Sequence, residues 1–216
     1  MPSNAPSVSA PAKPPKLRST APLIAIVLIC LAPVLFAYLA YYVPSLGLRP
    51  KGHSNYGQLI QPQRPIPAAS ALTLTTADGK PFDLHSLHGK WILASADQGA
   101  CPESCVKKLF ILRNSHASQG KEVDRLTRVW FVTDKTPTPA QVLTAYKGTL
   151  IVHADAKQLA AYLMPDVTAA DAESALKKPM WIIDPLGNLM MQFPDQADPL
   201  KVRDDIKKLL ARSSIG

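Results

Sequence analysis

Acidic residues are missing from the amino-terminal part of the chain. Residues 1–65 contain six lysines and arginines but no aspartate or glutamate, whereas the remainder carries 18 basic and 16 acidic side chains. The net charge of +8 therefore lies mostly at the amino-terminal end. A nucleic-acid-binding protein concentrates its basic residues on the folded domain, so this distribution argues against a nucleic-acid partner. No internal repeat is visible.

A long hydrophobic run accounts for the basic residues around it. Residues 23–43, LIAIVLICLAPVLFAYLAYYV, contain no charge, and about 20 apolar residues in a helix span the hydrocarbon core of a bilayer. A cleaved signal peptide has a shorter run and ends in small residues, whereas this run ends in LAYYVPS. We therefore predict an uncleaved transmembrane anchor over residues 22–43. Cys30 lies within it as a small hydrophobic residue.

The residues around the anchor predict its orientation. Three basic residues precede it and two follow closely, namely Lys13, Lys16, Arg18, Arg49 and Lys51. The more basic side stays in the cytoplasm, so we predict a single-pass protein of the cytoplasmic (inner) membrane. Residues 1–21 are rich in proline, serine and alanine, and we predict that they form a disordered cytoplasmic tail. The carboxyl-terminal domain is exported, in a bacterium to the periplasm, where disulfides form.

Residues 44–67 are punctuated by proline and glycine, which indicates a linker or an extended arm that lies on the following domain. Residues 68–216 then alternate strands and helices. The predicted strands cover residues 72–76, 81–84, 91–96, 128–133, 149–152, 180–184 and 189–193. Helices are predicted after the cysteine motif and over residues 138–146 (capped by Thr138), 156–163 and 199–210. This order is that of thioredoxin, an α/β fold with a central sheet covered by helices on both faces.

The cysteine motif, DQGACPESCVKKL at residues 97–109, contains Cys101 and Cys105. In the predicted fold Cys101 lies where a strand ends and a helix begins, and the helix N-terminus stabilises a thiolate there. Pro102 suits the first helical turn. We predict that Cys101 is an exposed nucleophile with a lowered pKa and that Cys105 resolves the mixed disulfide. A structural disulfide and two unpaired thiols are the alternatives.

Two lysines follow the motif, and we expect both Lys107 and Lys108 to be exposed. On the predicted helix, Cys105, Leu109, Leu112 and His116 share one face. Exposed lysines add positive charge near the cysteines, although salt screens it.

Several short motifs point to one family. The chain contains DGK at residues 78–80, LHGK at 87–90 and CPESC at 101–105, followed by WFVTDKTPTPAQVLTAY and WIIDPLGNLMMQFP. Over about residues 70–210 these segments resemble the Sco/SenC proteins, thioredoxin-like factors of cytochrome c oxidase assembly. The resemblance implies a role in copper-centre maturation, with the copper-site subunit of a haem–copper oxidase as partner. It also implies copper as the metal, and thiolates of Cys101 and Cys105 suit Cu(I).

A histidine is missing from the region where the resemblance implies one. Copper-binding Sco proteins add a histidine just before the late I-D-P strand, but ESALKKPMWIIDP contains none. We interpret the five histidines as surface residues: His53, His85, His88, His116 and His153. Met180, Met190 and Met191 fit alternating core positions better than metal ligands.

Pro179 directly precedes the late strand. Thioredoxins have a cis-proline before the equivalent strand, packed on the active-site cysteines, and the cis form costs little at X-Pro bonds. An ordinary trans proline that starts the strand is the alternative. On the resemblance, Pro179 joins Cys101 and Cys105 as a candidate catalytic residue.

We therefore expect a membrane-anchored thiol–disulfide oxidoreductase that reduces a partner's disulfide so that its cysteines can accept copper. A Cu(I)-binding chaperone is the first alternative, against which the missing histidine counts. A non-catalytic assembly factor is the second, against which the intact cysteine pair counts.

Overall fold

The computed structural model describes residues 20–43 and 55–216. Most of the predicted tail, residues 44–54 of the predicted linker and the five basic residues used for orientation lie outside these ranges. The chain divides into two compact units, Met1–Gly52 and His53–Gly216. In the first, helix α1 spans Ala21–Tyr42, with Pro33 inside it. This helix is long and apolar enough to cross a membrane.

The second unit is built on one eight-stranded mixed sheet. The strands are β1 (Gln58–Pro65), β2 (Leu74–Thr76), β3 (Pro81–Phe82), β4 (Trp91–Asp97), β5 (Leu126–Val132), β6 (Leu150–Ala154), β7 (Met180–Ile183) and β8 (Asn188–Phe193). Their order across the sheet is β1-β8-β7-β4-β5-β6-β2-β3. Strands β4, β5 and β6 are parallel neighbours, and β7 pairs antiparallel with β4. The carboxyl ends of the three parallel strands therefore share one edge, and the cysteine motif follows β4 at that edge.

Helices cover both faces of the sheet. They are α2 (Glu103–Ala117), α3 (Ala140–Ala145), α4 (Ala156–Leu163), α5 (Ala172–Leu176) and α6 (Pro199–Arg212), and 3-10 helices cover Leu84–Leu87 and Gly120–Arg125. Successive side chains of a strand point to opposite faces, and β4 divides accordingly. Ile92 and Ala94 pack in a cluster with α4 and α5. Leu93 packs in a second cluster with residues of α2 and α6, which we call the cysteine cluster because Cys101 and Cys105 belong to it.

The described part of the predicted linker is an edge strand. β1 pairs antiparallel with β8, placing Leu59 opposite Met191. The carboxylate of the buried Asp205 accepts hydrogen bonds from the backbone N–H groups of Tyr56 and Gly57 at 2.7 and 2.9 Å. Of the two alternatives for this segment, residues 58–65 are therefore the extended arm that lies on the domain rather than a free linker.

Most other predicted elements are present. The helix predicted over residues 156–163 matches α4, and the seven predicted strands all form with small shifts at their ends. Helix α3 is shorter than predicted and begins after Pro139, so Thr138 does not cap it. Helix α5 was not predicted. On α2, Cys105, Leu109 and Leu112 are buried as expected.

Candidate functional site

The cysteine motif lies at the junction between β4 and α2, as predicted. β4 ends at Asp97 and α2 begins at Glu103, with Pro102 as the residue that precedes the first turn. The sulfur atoms of Cys101 and Cys105 are bonded at 2.06 Å, and their Cα atoms are 5.0 Å apart. Cys101 therefore precedes the helix, while Cys105 lies in its first turn.

Both cysteines are buried, so the prediction of an exposed Cys101 is wrong. Cys101 is 6% exposed and Cys105 is 1% exposed. They pack in the cysteine cluster with Leu109 of α2 and Met180 of β7. The sequence shows only the helix that carries the motif, whereas the burial comes from β7, which is about 80 residues away in the chain. A partner sulfur can therefore approach Cys101 only through the small part of its surface that remains open.

The backbone of Cys101 has an unusual conformation. Its φ angle is +47°, in the left-handed region that costs a non-glycine residue roughly 1–2 kcal/mol. Such conformations persist only where surrounding contacts impose them, and they concentrate at functional sites. The backbone N–H of Cys101 donates to the carbonyl of Gln98 at 3.0 Å, which closes the loop on itself.

Contacts from two neighbouring segments fix this loop. The Gly99 N–H donates to Oδ1 of Asp134 at 2.7 Å, just beyond the end of β5. The Gln98 side chain donates to Oε1 of Glu173 on α5 at 2.9 Å. A Cβ atom at Gly99 would lie 1.9 Å from the carbonyl oxygen of Thr136, so this position requires glycine. The loop is therefore positioned before any partner binds.

A buried ion pair lies next to the motif. Nζ of Lys108 is 2.9 Å from Oδ2 of Asp97, and the two side chains are 9% and 0% exposed. Nζ also donates to the carbonyls of Ala96 and Lys177, each at 2.6 Å. Lys108 thus joins α2, the end of β4 and the segment before β7, the three parts that surround the cysteines.

The prediction that Lys108 is exposed is therefore wrong, because α2 turns this side chain towards the sheet. Burial lowers the pKa of Lys108, and the charge and hydrogen bond of Asp97 oppose that decrease. Lys107 is exposed, as predicted, and pairs with Glu103 at 2.8 Å. The hydrogen bond from Lys107 lowers the pKa of Glu103.

Pro179 is buried directly before β7. Within residues 20–43 and 55–216 the cis peptide bond is Gln61–Pro62, so the bond between Lys178 and Pro179 is trans. The trans alternative therefore holds, and the resemblance to the thioredoxin cis-proline does not extend to the geometry of this bond. Pro179 still precedes Met180, which packs in the cysteine cluster.

The described residues contain no group of three or more His, Cys, Asp or Glu side chains arranged to hold a metal ion. His153 lies inside β6 rather than after it, and His116 lies in the last turn of α2, far along the helix from Cys105. Met180 and Met191 are 1% and 0% exposed core residues, as predicted. Among the described residues, the candidate metal ligands at the motif are thus the sulfurs of Cys101 and Cys105, which as thiolates suit Cu(I).

Comparison with known proteins assigns the chain to a family. The family described as "Transmembrane-like, thioredoxin-like, C-terminal domain" matches residues 91–213. The chain belongs to this family. The matched segment contains β4, the cysteine motif and every later element through α6. No curated protein matches the sequence.

Solved structures agree with this assignment. Yeast Sco1 aligns with a TM-score of 0.53 and 16% identity, over 71% of this chain and 98% of that chain. BsSco, a Sco-family cytochrome c oxidase assembly protein with an identified disulfide switch, gives 0.50 and 14%, over 72% and 99%. A thiol:disulfide interchange protein from Bacteroides sp. gives 0.50 and 14%, over 70% and 91%. These likenesses confirm the thioredoxin-like fold and, at the level of fold, the resemblance to Sco proteins.

Proposed function

We propose that the protein is a thiol–disulfide oxidoreductase in which Cys101 and Cys105 exchange electrons with a partner's cysteines. The observation that carries this proposal is the bonded pair at the strand-to-helix junction, with Cys101 held in a left-handed conformation just before α2. Left-handed conformations of non-glycine residues concentrate at functional sites, which favours exchange over a structural disulfide. The fold shared with a thiol:disulfide interchange protein supports the same role.

The reaction begins with the two cysteines reduced. The Cys101 thiolate attacks one sulfur of the partner's disulfide, that S–S bond breaks, and the partner's other sulfur leaves as a thiolate. The Cys105 thiolate then attacks the Cys101 sulfur, forming the 101–105 disulfide and releasing the second partner thiolate. Two electrons pass to the partner, and an external dithiol must reduce the pair again. Pro179 shapes the segment beside the cysteines and acts by position.

We further propose that the partner is the copper-site subunit of a haem–copper oxidase, whose cysteines must be reduced before they bind copper. The fold shared with Sco proteins supports this proposal. A Cu(I) chaperone remains the second candidate, because two thiolates can hold Cu(I). The contacts around Gln98 and Gly99 favour exchange, since they fix the loop rather than supply further metal ligands.

Location is part of the proposal. We place α1 in the cytoplasmic membrane with the second unit in the periplasm, where an oxidised pair can form. The apolar composition of α1 supports an anchor, and the basic bias at residues 13–18 supports the orientation.

Reporter fusions test this orientation. A carboxyl-terminal alkaline phosphatase fusion should be active, and a cytoplasmic reporter fused after Gly216 should be inactive. The reverse result would overturn the periplasmic assignment.

Copper binding separates exchange from chaperoning. We expect the reduced full-length protein in detergent to lose Cu(I) to a chelator at concentrations that a two-cysteine, one-histidine site withstands, because no described histidine completes the coordination. We also expect little Cu(II) binding by the cysteines, since thiolates suit the softer ion. The measurement is chelator competition, with the Cys101→Ser/Cys105→Ser variant as control. Cysteine-dependent Cu(I) retention against excess chelator would instead favour the chaperone.

A further inference from the structure

Two histidines lie together on the 3-10 helix Leu84–Leu87 and the residue that follows it. A 3-10 helix has three residues per turn, so side chains three positions apart point the same way. His85 and His88 have this spacing, and their ring centroids are 5.3 Å apart. The sequence suggested two independent surface residues, whereas the helix type brings the imidazoles side by side.

A carboxylate orients one of the two rings. Nδ1 of His85 is 2.8 Å from Oδ1 of Asp83. The same oxygen accepts the backbone N–H of His85 at 2.9 Å. A charged carboxylate on Nδ1 leaves Nε2 of His85 as the lone-pair nitrogen, an arrangement common around metal-bound histidines.

The spacing of the rings fits a shared metal ion. A metal about 2.0 Å from one nitrogen of each ring would place the centroids roughly 4.5–5.5 Å apart for ligand angles of about 90–120°. The separation of 5.3 Å lies in this interval. The His85 side chain is 38% exposed, and His88 is exposed. A Cβ at Gly187 would lie 2.5 Å from Nε2 of His88, so the His88 ring can take this position only because residue 187 is glycine.

We propose that His85 and His88 form a binding site for a divalent transition-metal ion, with Asp83 as the carboxylate that orients His85. The two imidazoles would be the protein ligands, and solvent water would fill the remaining coordination positions. The bound metal ion would therefore be open to solvent and would exchange readily. Imidazole suits copper, nickel and zinc, and affinity along the first-row series is highest for Cu²⁺. We therefore expect the site to bind Cu²⁺ most tightly and to bind Zn²⁺ and Ni²⁺ with lower affinity.

This site is separate from the cysteines. It precedes β4, whereas Cys101 follows β4, and a seven-residue strand is about 20–23 Å long. The oxidised cysteine pair offers no thiolate, so the two sites can be measured independently. The proposal does not rest on the exchange function, and its failure would leave that function untouched.

The test uses the full-length oxidised protein in detergent, expressed without a polyhistidine tag. We expect one Cu²⁺ per chain by calorimetry, with quenching of Trp91, which lies three residues after His88. His85→Ala and His88→Ala should each weaken Cu²⁺ binding at least 10-fold. Asp83→Asn should weaken it about 10–100-fold, as loss of such orienting partners does. Electron paramagnetic resonance should show nitrogen coupling that both histidine variants lose.

Histidines and cysteines elsewhere in the chain provide the control variants. His153→Ala and His116→Ala should bind Cu²⁺ like the wild type, and so should Cys101→Ser/Cys105→Ser. Circular dichroism checks that each variant is folded. The proposal is overturned if Cu²⁺ does not bind, if the His85 and His88 variants bind it unchanged, or if His153→Ala loses as much affinity.

Discussion

Replacing Cys105 with serine is expected to leave the protein covalently bound to its partner. Cys101 can still attack the partner's disulfide, but no second thiol remains to release the mixed disulfide. The expected product is a persistent adduct on non-reducing gels that disappears when a reductant is added. Its mass should identify the partner, for which we expect a copper-site subunit of a haem–copper oxidase.

Cys101→Ser is the matched control for this trapping experiment. Cys105 is 1% exposed and lies inside the first turn of α2, so it should not capture a partner by itself. The variant lacking both cysteines should also give no adduct. If Cys101→Ser traps the same partner equally well, the assignment of attacking and resolving cysteines is wrong.

Breaking the buried ion pair should destabilise the second unit strongly. Lys108→Met leaves the Asp97 carboxylate buried without its cation, and removal of one partner from a buried pair typically costs about 3–5 kcal/mol. We expect a loss of that size in the free energy of unfolding, measured by urea titration of the full-length protein. The tryptophans that report it, Trp91, Trp130 and Trp181, are all buried.

The neighbouring lysine gives the control for this prediction. Lys107→Met removes a side chain that is 70% exposed, and exposed ion pairs contribute about 0–1 kcal/mol. The double variant Lys108→Met/Asp97→Leu should recover much of the loss, because apolar residues can replace a buried pair at little cost. Equal effects of Lys107→Met and Lys108→Met would contradict the structural role given to Lys108.

The central strands and α4 could be predicted because their sequence patterns are local. Residues 91–96 form an apolar run bounded by turns, and the observed β4 extends it by one residue. Asp155 caps α4 through hydrogen bonds to the N–H groups of Lys157 and Gln158. The hairpin around PLGN formed as predicted, with the Asp184 carboxylate accepting from the N–H groups inside the turn.

Other features depend on contacts that the sequence does not show. β1 contains Pro62 and Pro65, which weaken any strand pattern, and it forms because the edge of β8 and Asp205 hold it. The five-residue helix α5 is too short for a periodic signal. Lys108 has the composition of a surface residue, and only the position of Asp97 at the end of β4 explains its burial.

The site itself was predicted in part. The strand-to-helix junction predicted where the cysteine pair lies, and the structure places Cys101 and Cys105 there. The sequence did not indicate that Cys101 is buried, or that Asp134 and Glu173 fix its loop from distant segments. The spacing of Asp83, His85 and His88 is visible in the sequence, but only the 3-10 helix shows that the two imidazoles lie side by side.

The most direct test of the exchange mechanism is the reactivity of each cysteine in the reduced variant that lacks the other. Cys101 precedes α2, and the first N–H groups of a helix have no intrahelical partner, so we expect the pKa of its thiol to fall below the ~8.5 of a free thiol. Cys105 is more deeply buried, and burial opposes thiolate formation, so we expect no such decrease there. Iodoacetamide alkylation followed against pH should show Cys101 in Cys105→Ser reacting as a thiolate at lower pH than Cys105 in Cys101→Ser. Equal alkylation rates at every pH, with no trapped partner, would contradict the mechanism and favour a structural disulfide.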